Sequence, residues 1–405
     1  MINLRSALTL NGLLTIGFFS AALIPFSISV GGQGISANYL FFLYPILILI
    51  AGKSLVMPQR LYLKFMAVYM AILCLATLYQ YSLYGEVGRR LVSFTLFIGI
   101  FVFMFVRITP RMVVSFKISV VLISLYFSIY SIYDYILGGA GALGFSAKDV
   151  VGTQRIGFVY IAAFWLLLLY KASTLLMRLI KMSAISCIFF GLLLTFSRSS
   201  VIALVGSLTV FNVVHSYERW RNQKFILSRS QLGILTMLFG FLFLLAVFFP
   251  VPLEFFAERL FSNTTAAGDP VYDFVNPNAS EGYRVWMLRT VLDFVMHNPF
   301  TGSGYLGVWI AIDEGGQGAT HNQYTDVLFR TGIFGFAIYL YILCKLGGYL
   351  YKNHLGLFYG YVGVLIYGMF HETFKESQGA FMLSFMVGMM SCAQLSVSPR
   401  FCRQA

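Results

Sequence analysis

The sequence runs to 405 residues, of which 59% are hydrophobic and 11% charged. Soluble domains carry about 25% charged residues, and a soluble fold of this length could not hide so much apolar surface. Composition therefore excludes a water-soluble globular protein and makes the bilayer the solvent. The net charge of +13, from 28 Lys and Arg against 15 Asp and Glu, would point to nucleic acid in a soluble chain. In a membrane chain the positive-inside rule accounts for most of it.

The fold class expected is all-α, a polytopic bundle of about 12 transmembrane helices with one large outer loop that contains short helices. A window of about 20 apolar residues finds spans at 8–30, 37–52, 61–82, 91–107, 113–137, 156–176, 180–197, 199–215, 232–250, 322–344, 355–370 and 379–396. The first stretch is too long for a cleavable signal and no small-residue cleavage site follows it clearly, so it is expected to stay as a span. Only Ser197-Arg198-Ser199 separates the seventh span from the eighth, which demands a sharp reversal. The chain thus divides into spans one to nine (1–250), a large loop (251–320), and spans ten to twelve with a short tail (321–405). Cys74, Cys187, Cys344, Cys392 and Cys402 form no CxxC pair and lie in or beside apolar stretches. They read as lipid-facing or core residues, with no disulfide framework and no metal site.

Placing the N-terminus inside and alternating puts 18 of the 28 Lys and Arg on the inner side and 10 on the outer side. That bias supports an even number of spans and both termini inside. Eight of the outer ten are Arg. Arg offers a planar fork suited to phosphate and carboxylate, so the outer face hints at a phosphate-bearing ligand; the plain alternative is snorkelling at helix ends.

Arg155 follows the outer loop GGAGALGFSAKDVVGTQ and precedes a span. Arg198, in Thr195-Phe196-Ser197-Arg198-Ser199-Ser200, sits where two apolar helices meet the interface. A charge there is costly without a partner, so it reads as a binder of an anionic headgroup or, more plainly, an interfacial anchor. In the large loop, Ser280 to Arg284 leads into VWMLRTVLDFVM. Trp286, Leu288, Val291, Leu292 and Val295 recur there at helical spacing. They predict an amphipathic helix against the membrane surface or capping the bundle, ended near Pro299. Arg284 at its start opposes the helix dipole, a placement that makes sense if an anion binds at the free N–H groups. Arg289 lies on a different face.

Asn298-Pro299-Phe300-Thr301-Gly302-Ser303-Gly304-Tyr305-Leu306-Gly307 follows. Its glycines allow tight turns and exposed N–H groups, which fit either a cradle for phosphate or sugar or a plain loop. No Gly-Lys-Ser/Thr completes a P-loop. Next, His321 opens a span through the polar run His321-Asn322-Gln323-Tyr324-Thr325-Asp326. Histidine is the natural general base near neutral pH, whereas a lone histidine is usually structural. The polar run favours function, with Asn322, Tyr324 and Asp326 as candidate acceptor or support residues. Asp326 is an imperfect same-face partner for His321, and Arg330 lies about two and a half turns on. The last outer loop, Phe370 to Gln378, either closes the site and contacts an acceptor through Glu372, Glu376 or Gln378, or is a solvated turn. No metal site is expected, since Asp269 and Asp273 flank Pro270 and make a poor one.

Ser-Arg-Ser at 197–199, the Asn-Pro-Phe-Thr-Gly-Ser-Gly-Tyr turn and the His-Asn-Gln-Tyr…Gly-Ile-Phe-Gly start of a span occur in that order. Together they resemble the O-antigen ligase and O-antigen polymerase superfamily of bacterial surface-polysaccharide assembly, over roughly residues 195–340. The resemblance implies an inverting, metal-independent glycosyltransferase with no cofactor, acting at the periplasmic face of the inner membrane. The donor implied is a glycan on undecaprenyl diphosphate, with Arg198, Arg284 and Arg155 on the diphosphate and His321 activating the acceptor hydroxyl. It implies a chain-length regulator and a flippase as partners, and no nucleic acid. The expected activity is polymerisation of lipid-linked repeat units for O-antigen or exopolysaccharide. Transfer of the glycan to lipid A core is the first alternative. A lipid-linked glycan flippase is the second, less favoured because transporters carry ionisable residues at the midplane on broken helices.

Overall fold

The computed structural model describes residues 10–24, 27–30, 33–36, 57–58, 60–84, 101, 103–142, 156–195, 197–221, 280–300, 302–304, 310, 320–374 and 377–395. Ten α-helices run through them: α1 Leu10–Leu23, α2 Arg60–Tyr84, α3 Pro110–Ala142, α4 Gly157–Leu168, α5 Leu175–Leu194, α6 Arg198–Arg221, α7 Ser280–His297, α8 Gln323–Asn353, α9 Leu355–Tyr367 and α10 Ser377–Leu395. The fold is all-α, a helical membrane bundle. Five stretches are long and apolar enough to cross a bilayer: Arg60–Tyr79, Pro110–Tyr133, Leu175–Leu194, Ser199–Tyr217 and Gln323–Asn353. Gly12–Leu23, Gly157–Leu168, Leu355–Tyr367 and Gln378–Cys392 are shorter apolar helices.

Nine of the twelve expected spans fall on these helices. Those at 37–52 and 232–250 lie outside the described residues, as does most of 91–107, whose end holds a 3-10 turn at Phe103–Phe105. The first span needs correction. Its helix ends at Leu23, two residues before a proline that cannot continue it. Then β1 (Ser27–Val30) pairs antiparallel with β2 (Gln33–Ser36), Val30 opposite Gln33. Only Gly31 and Gly32 separate them, the residues a two-residue hairpin favours. The sixth span is also shorter than expected. α4 stops at Leu168, where the Lys181 ammonium donates to the carbonyls of Leu168 and Tyr170 at 2.8 Å each. Thr174 then caps α5 by accepting from the Met177 N–H.

The chain forms two compact units, one of 1–120, 273–354 and 368–405, the other of 121–272 and 355–367. In the second, α4, α5, α6 and α9 pack closely because small residues line the crossings. A Cβ on Gly360 would meet Ala162 at 3.0 Å, and one on Gly363 would strike Ile161. Such small contacts are what hold helices together where lipid removes the hydrophobic drive. Trp165 fills the centre, its Nε1 donating to Ser207 Oγ at 2.8 Å and its ring 4.9 Å from Tyr359.

In the first unit, Phe19, Phe103, Phe116, Phe381 and Phe385 join α1, the 3-10 turn, the start of α3 and α10; the Phe116–Phe385 rings stack at 4.5 Å. The Phe103 N–H donates to Ser384 Oγ at 3.3 Å. α2 packs on α8 through Phe65 and Tyr341.

Candidate active site

α7 lies beside the first turns of α8 and runs in the same direction. Tyr283 stands against the His321 ring at 5.9 Å, edge to face. Further along, Phe294 meets Phe329 at 4.6 Å, and beyond the helix the Pro299 carbonyl accepts the Ile333 N–H at 2.9 Å. The buried stripe of α7 is Met287, Val291 and Val295, which close on Phe329. This corrects the expected face: Trp286, Leu288 and Leu292 are exposed, and Met296 is 72% exposed. The pattern misled because α7 carries apolar residues around more than half its circumference.

α8 is broken at Gly332, whose φ of 62° and ψ of −170° belong to a region essentially restricted to glycine. The break frees backbone carbonyls, and the glycine loop takes them. Ser303 donates its N–H to the Phe329 carbonyl at 2.8 Å, and Gly304 donates to the Arg330 carbonyl at 2.9 Å. The Gly302 N–H turns back to Asn298. Gly302 and Gly304 both have positive φ, and a Cβ on Gly302 would sit 2.6 Å from the Arg330 carbonyl carbon. Of the two readings of this loop, the structure supports the plain one. These N–H groups brace α8 and do not form a cradle.

Between the break and His321, the first segment of α8 is buried and polar. Asp326 is 0% exposed and Arg330 2%, and they pair at 3.0 Å between Nε and Oδ2. Asp326 thus has Arg330, one turn on, as its ion-pair partner. Asn322 is the N-cap, its Oδ1 accepting from the N–H groups of Tyr324 at 2.9 Å and Thr325 at 3.2 Å. Tyr324 is half-buried.

His321 is exposed and takes φ +51°, the one positive value among described non-glycine residues. A residue on each side, Thr320 and Gln323, is tied to the loop between α9 and α10. Thr320 donates its N–H to Glu372 Oε1 at 2.8 Å, and its hydroxyl lies 2.7 Å from the same oxygen. Gln323 donates its N–H to the Gly368 carbonyl at 2.8 Å, while its side-chain oxygen accepts from the Phe374 N–H at 2.7 Å. Sequence reasoning missed Thr320 and Gln323, whose partners lie about fifty residues on.

Arg284 lies half-buried in the first turn of α7, one residue from the tyrosine that touches His321; Arg289 is exposed. Arg198 opens α6 in the other unit, behind a serine turn in which Ser197 Oγ and Ser199 Oγ lie 2.8 Å apart and the Ser200 N–H donates to the Ser197 carbonyl at 3.1 Å. Arg155 lies outside the described residues, as does Glu376.

A family model described as O-antigen ligase matches residues 183–340, from within α5 to the middle of α8. Over that stretch the chain is similar to the O-antigen ligase family. The matched segment contains Arg198, Arg284, Arg289, His321, Asn322, Tyr324 and Asp326, and stops short of Glu372. No curated protein matches the chain. That similarity points to a membrane enzyme of the O-antigen ligase or polymerase type.

Proposed function

We propose that the protein polymerises oligosaccharide repeat units carried on undecaprenyl diphosphate, at the periplasmic face of the bacterial inner membrane, with both termini in the cytoplasm. The observation that carries this reading is the superfamily segment itself, with Arg198, Arg284 and His321 in order and His321 exposed beside Arg284's helix. In the reaction, His321 takes the proton of an acceptor sugar hydroxyl. The hydroxyl oxygen attacks the anomeric carbon of the donor and the configuration inverts. The bond from that carbon to the diphosphate breaks, and the lipid diphosphate leaves with the electron pair. Its charge falls to Arg198, Arg284 and Arg155, whose guanidinium forks suit phosphate. That electrostatic work needs no metal ion. Asn322, Tyr324 and Asp326 support the histidine segment, and Arg289 stands at the rim. A chain-length regulator and a flippase fit as partners in the same membrane.

A second reading is transfer to lipid A core, which the name of the matched family favours. The test uses purified protein in liposomes with an undecaprenyl-diphosphate repeat unit in chelator, with and without lipid A core. A ladder from donor alone supports the polymerase. Product only with lipid A core supports the ligase. No covalent product in either arm overturns both and favours a flippase. His321→Ala at normal protein level is expected to abolish product, and full output from it would refute the base assignment.

A further inference from the structure

His321 holds a left-handed backbone conformation that a non-glycine residue adopts when its surroundings impose it. The residues on either side impose it. Thr320, 2% exposed, and Gln323, 2% exposed, flank the histidine and its cap, and both are fixed to the turn at 368–374. One oxygen of Glu372 receives two donors of Thr320, a backbone N–H and a hydroxyl. The turn itself is closely packed: Thr373 and Phe374 are buried, and a Cβ on Gly379 would overlap the Thr373 carbonyl. His321 therefore stands on a bridge between two tethered points, while its ring projects to the surface against Tyr283.

We infer that Glu372 is a positioning residue that, through Thr320, fixes the direction in which His321 points, with the 368–374 turn as the base of that clasp. This rests on the proposed role of His321 as base. It reassigns Glu372 from contact with the acceptor to support of the histidine. The inference depends on an acceptor oxygen, not on a negative charge, because Thr320 supplies only neutral donors. A glutamine amide oxygen can take the same two hydrogen bonds.

The test compares Glu372→Gln, Glu372→Ala and Thr320→Val in the full-length protein. Two readouts are taken: polymer formation in liposomes, and the rate at which diethyl pyrocarbonate modifies His321, followed across pH by peptide mass spectrometry. Glu372→Gln is expected to keep both readouts within about twofold of wild type and to leave the pH midpoint of His321 modification unmoved. Glu372→Ala is expected to lower kcat by about tenfold or more, as misplacement of a reacting group does, with the donor KM little changed and the modification rate altered. Thr320→Val, which removes one of the two bonds, is expected to fall between and keeps the test alive if Glu372→Ala does not fold. Loss of activity in Glu372→Gln equal to that in Glu372→Ala would overturn the inference, because the charge would then matter. So would a Glu372→Ala protein unchanged in both readouts. The modification experiment needs no turnover. If it behaves as expected while wild type makes no polymer, the clasp stands and the polymerase reading falls.

Discussion

Arg330→Met tests how the histidine platform is held. Arg330 and Asp326 are buried to within 2% of completely and pair at 3.0 Å. Removing the guanidinium leaves a buried carboxylate without its ion-pair partner, a loss of about 3–5 kcal/mol where such pairs have been broken. The unit that holds them spans about 240 residues by its boundaries, and a domain of that size shifts about 2 °C in Tm per kcal/mol. The expected fall is therefore about 6–10 °C, read by thermal unfolding in detergent. The double variant Asp326→Leu with Arg330→Met removes both charges together. Apolar replacement of a whole buried pair is often neutral or better, so most of the loss should return. A single variant as stable as wild type, or a double variant as unstable as the single, would refute the argument that desolvated charge dominates at this position.

Three more outcomes follow from particular residues. Gly332→Ala is expected to destabilise by about 1–3 kcal/mol from its dihedrals alone, and by more because the new Cβ would sit 2.6 Å from the Pro299 carbonyl oxygen; Gly348→Ala, where a Cβ meets nothing within 4 Å, is the control in the same melting assay. Arg198→Lys and Arg284→Lys keep the charge and lose the fork, so both are expected to raise the donor KM, and wild-type kinetics in both would exclude the diphosphate role. His354, the residue between α8 and α9, is pushed down to about 4 by burial first and by the Lys117 ammonium second. The unfolded chain takes up this proton near pH 6.5, whereas the folded one stays neutral until about 4, so the stability His354 allows above pH 6.5 is lost as pH falls from there towards 4. His354→Gln should flatten that part of a Tm-against-pH curve, and an unchanged slope would show that other groups set it.

The spans were legible because apolar runs of about 20 residues have one physical use in a chain this poor in charge. α3, α5, α6 and α8 fall close to where hydropathy puts them. What hydropathy cannot see is local termination by distant groups. Lys181 capping α4 is one case, and the Gly31-Gly32 hairpin after α1 is another. The site divides the same way. His321 and its polar run stand out because ionisable residues at the mouth of a span are costly. The pairing of Asp326 with Arg330 is present in the sequence only as i, i+4 spacing, which many unpaired charges share. The break at Gly332 was hidden, since glycine is common within membrane helices. It becomes visible only once Ser303 and Gly304 are seen donating to the carbonyls of Phe329 and Arg330.

These contacts separate α8 into two parts with different work. Beyond Gly332 it continues as an apolar helix, with Ile333 and Phe334 exposed. Before Gly332 lie nine helical residues too few to hold themselves, since helices this short are marginal without outside contacts. Phe329 packs on the apolar stripe of α7, and the other contacts are directional. The glycine loop fixes the lower end, the Asp326–Arg330 pair stiffens the middle from within, Asn322 caps the top, and Glu372 with Gln323 ties that top to the turn at 368–374. Nonspecific burial would tolerate rotation of the segment, and directional bonds do not. A proton acceptor must lie within hydrogen-bond reach of its donor, so a segment that cannot rotate is what a histidine in that role requires. The same logic explains why three glycines cluster here: they let polar backbone approach polar backbone, which is how a short helix gains fixed orientation without a large apolar core.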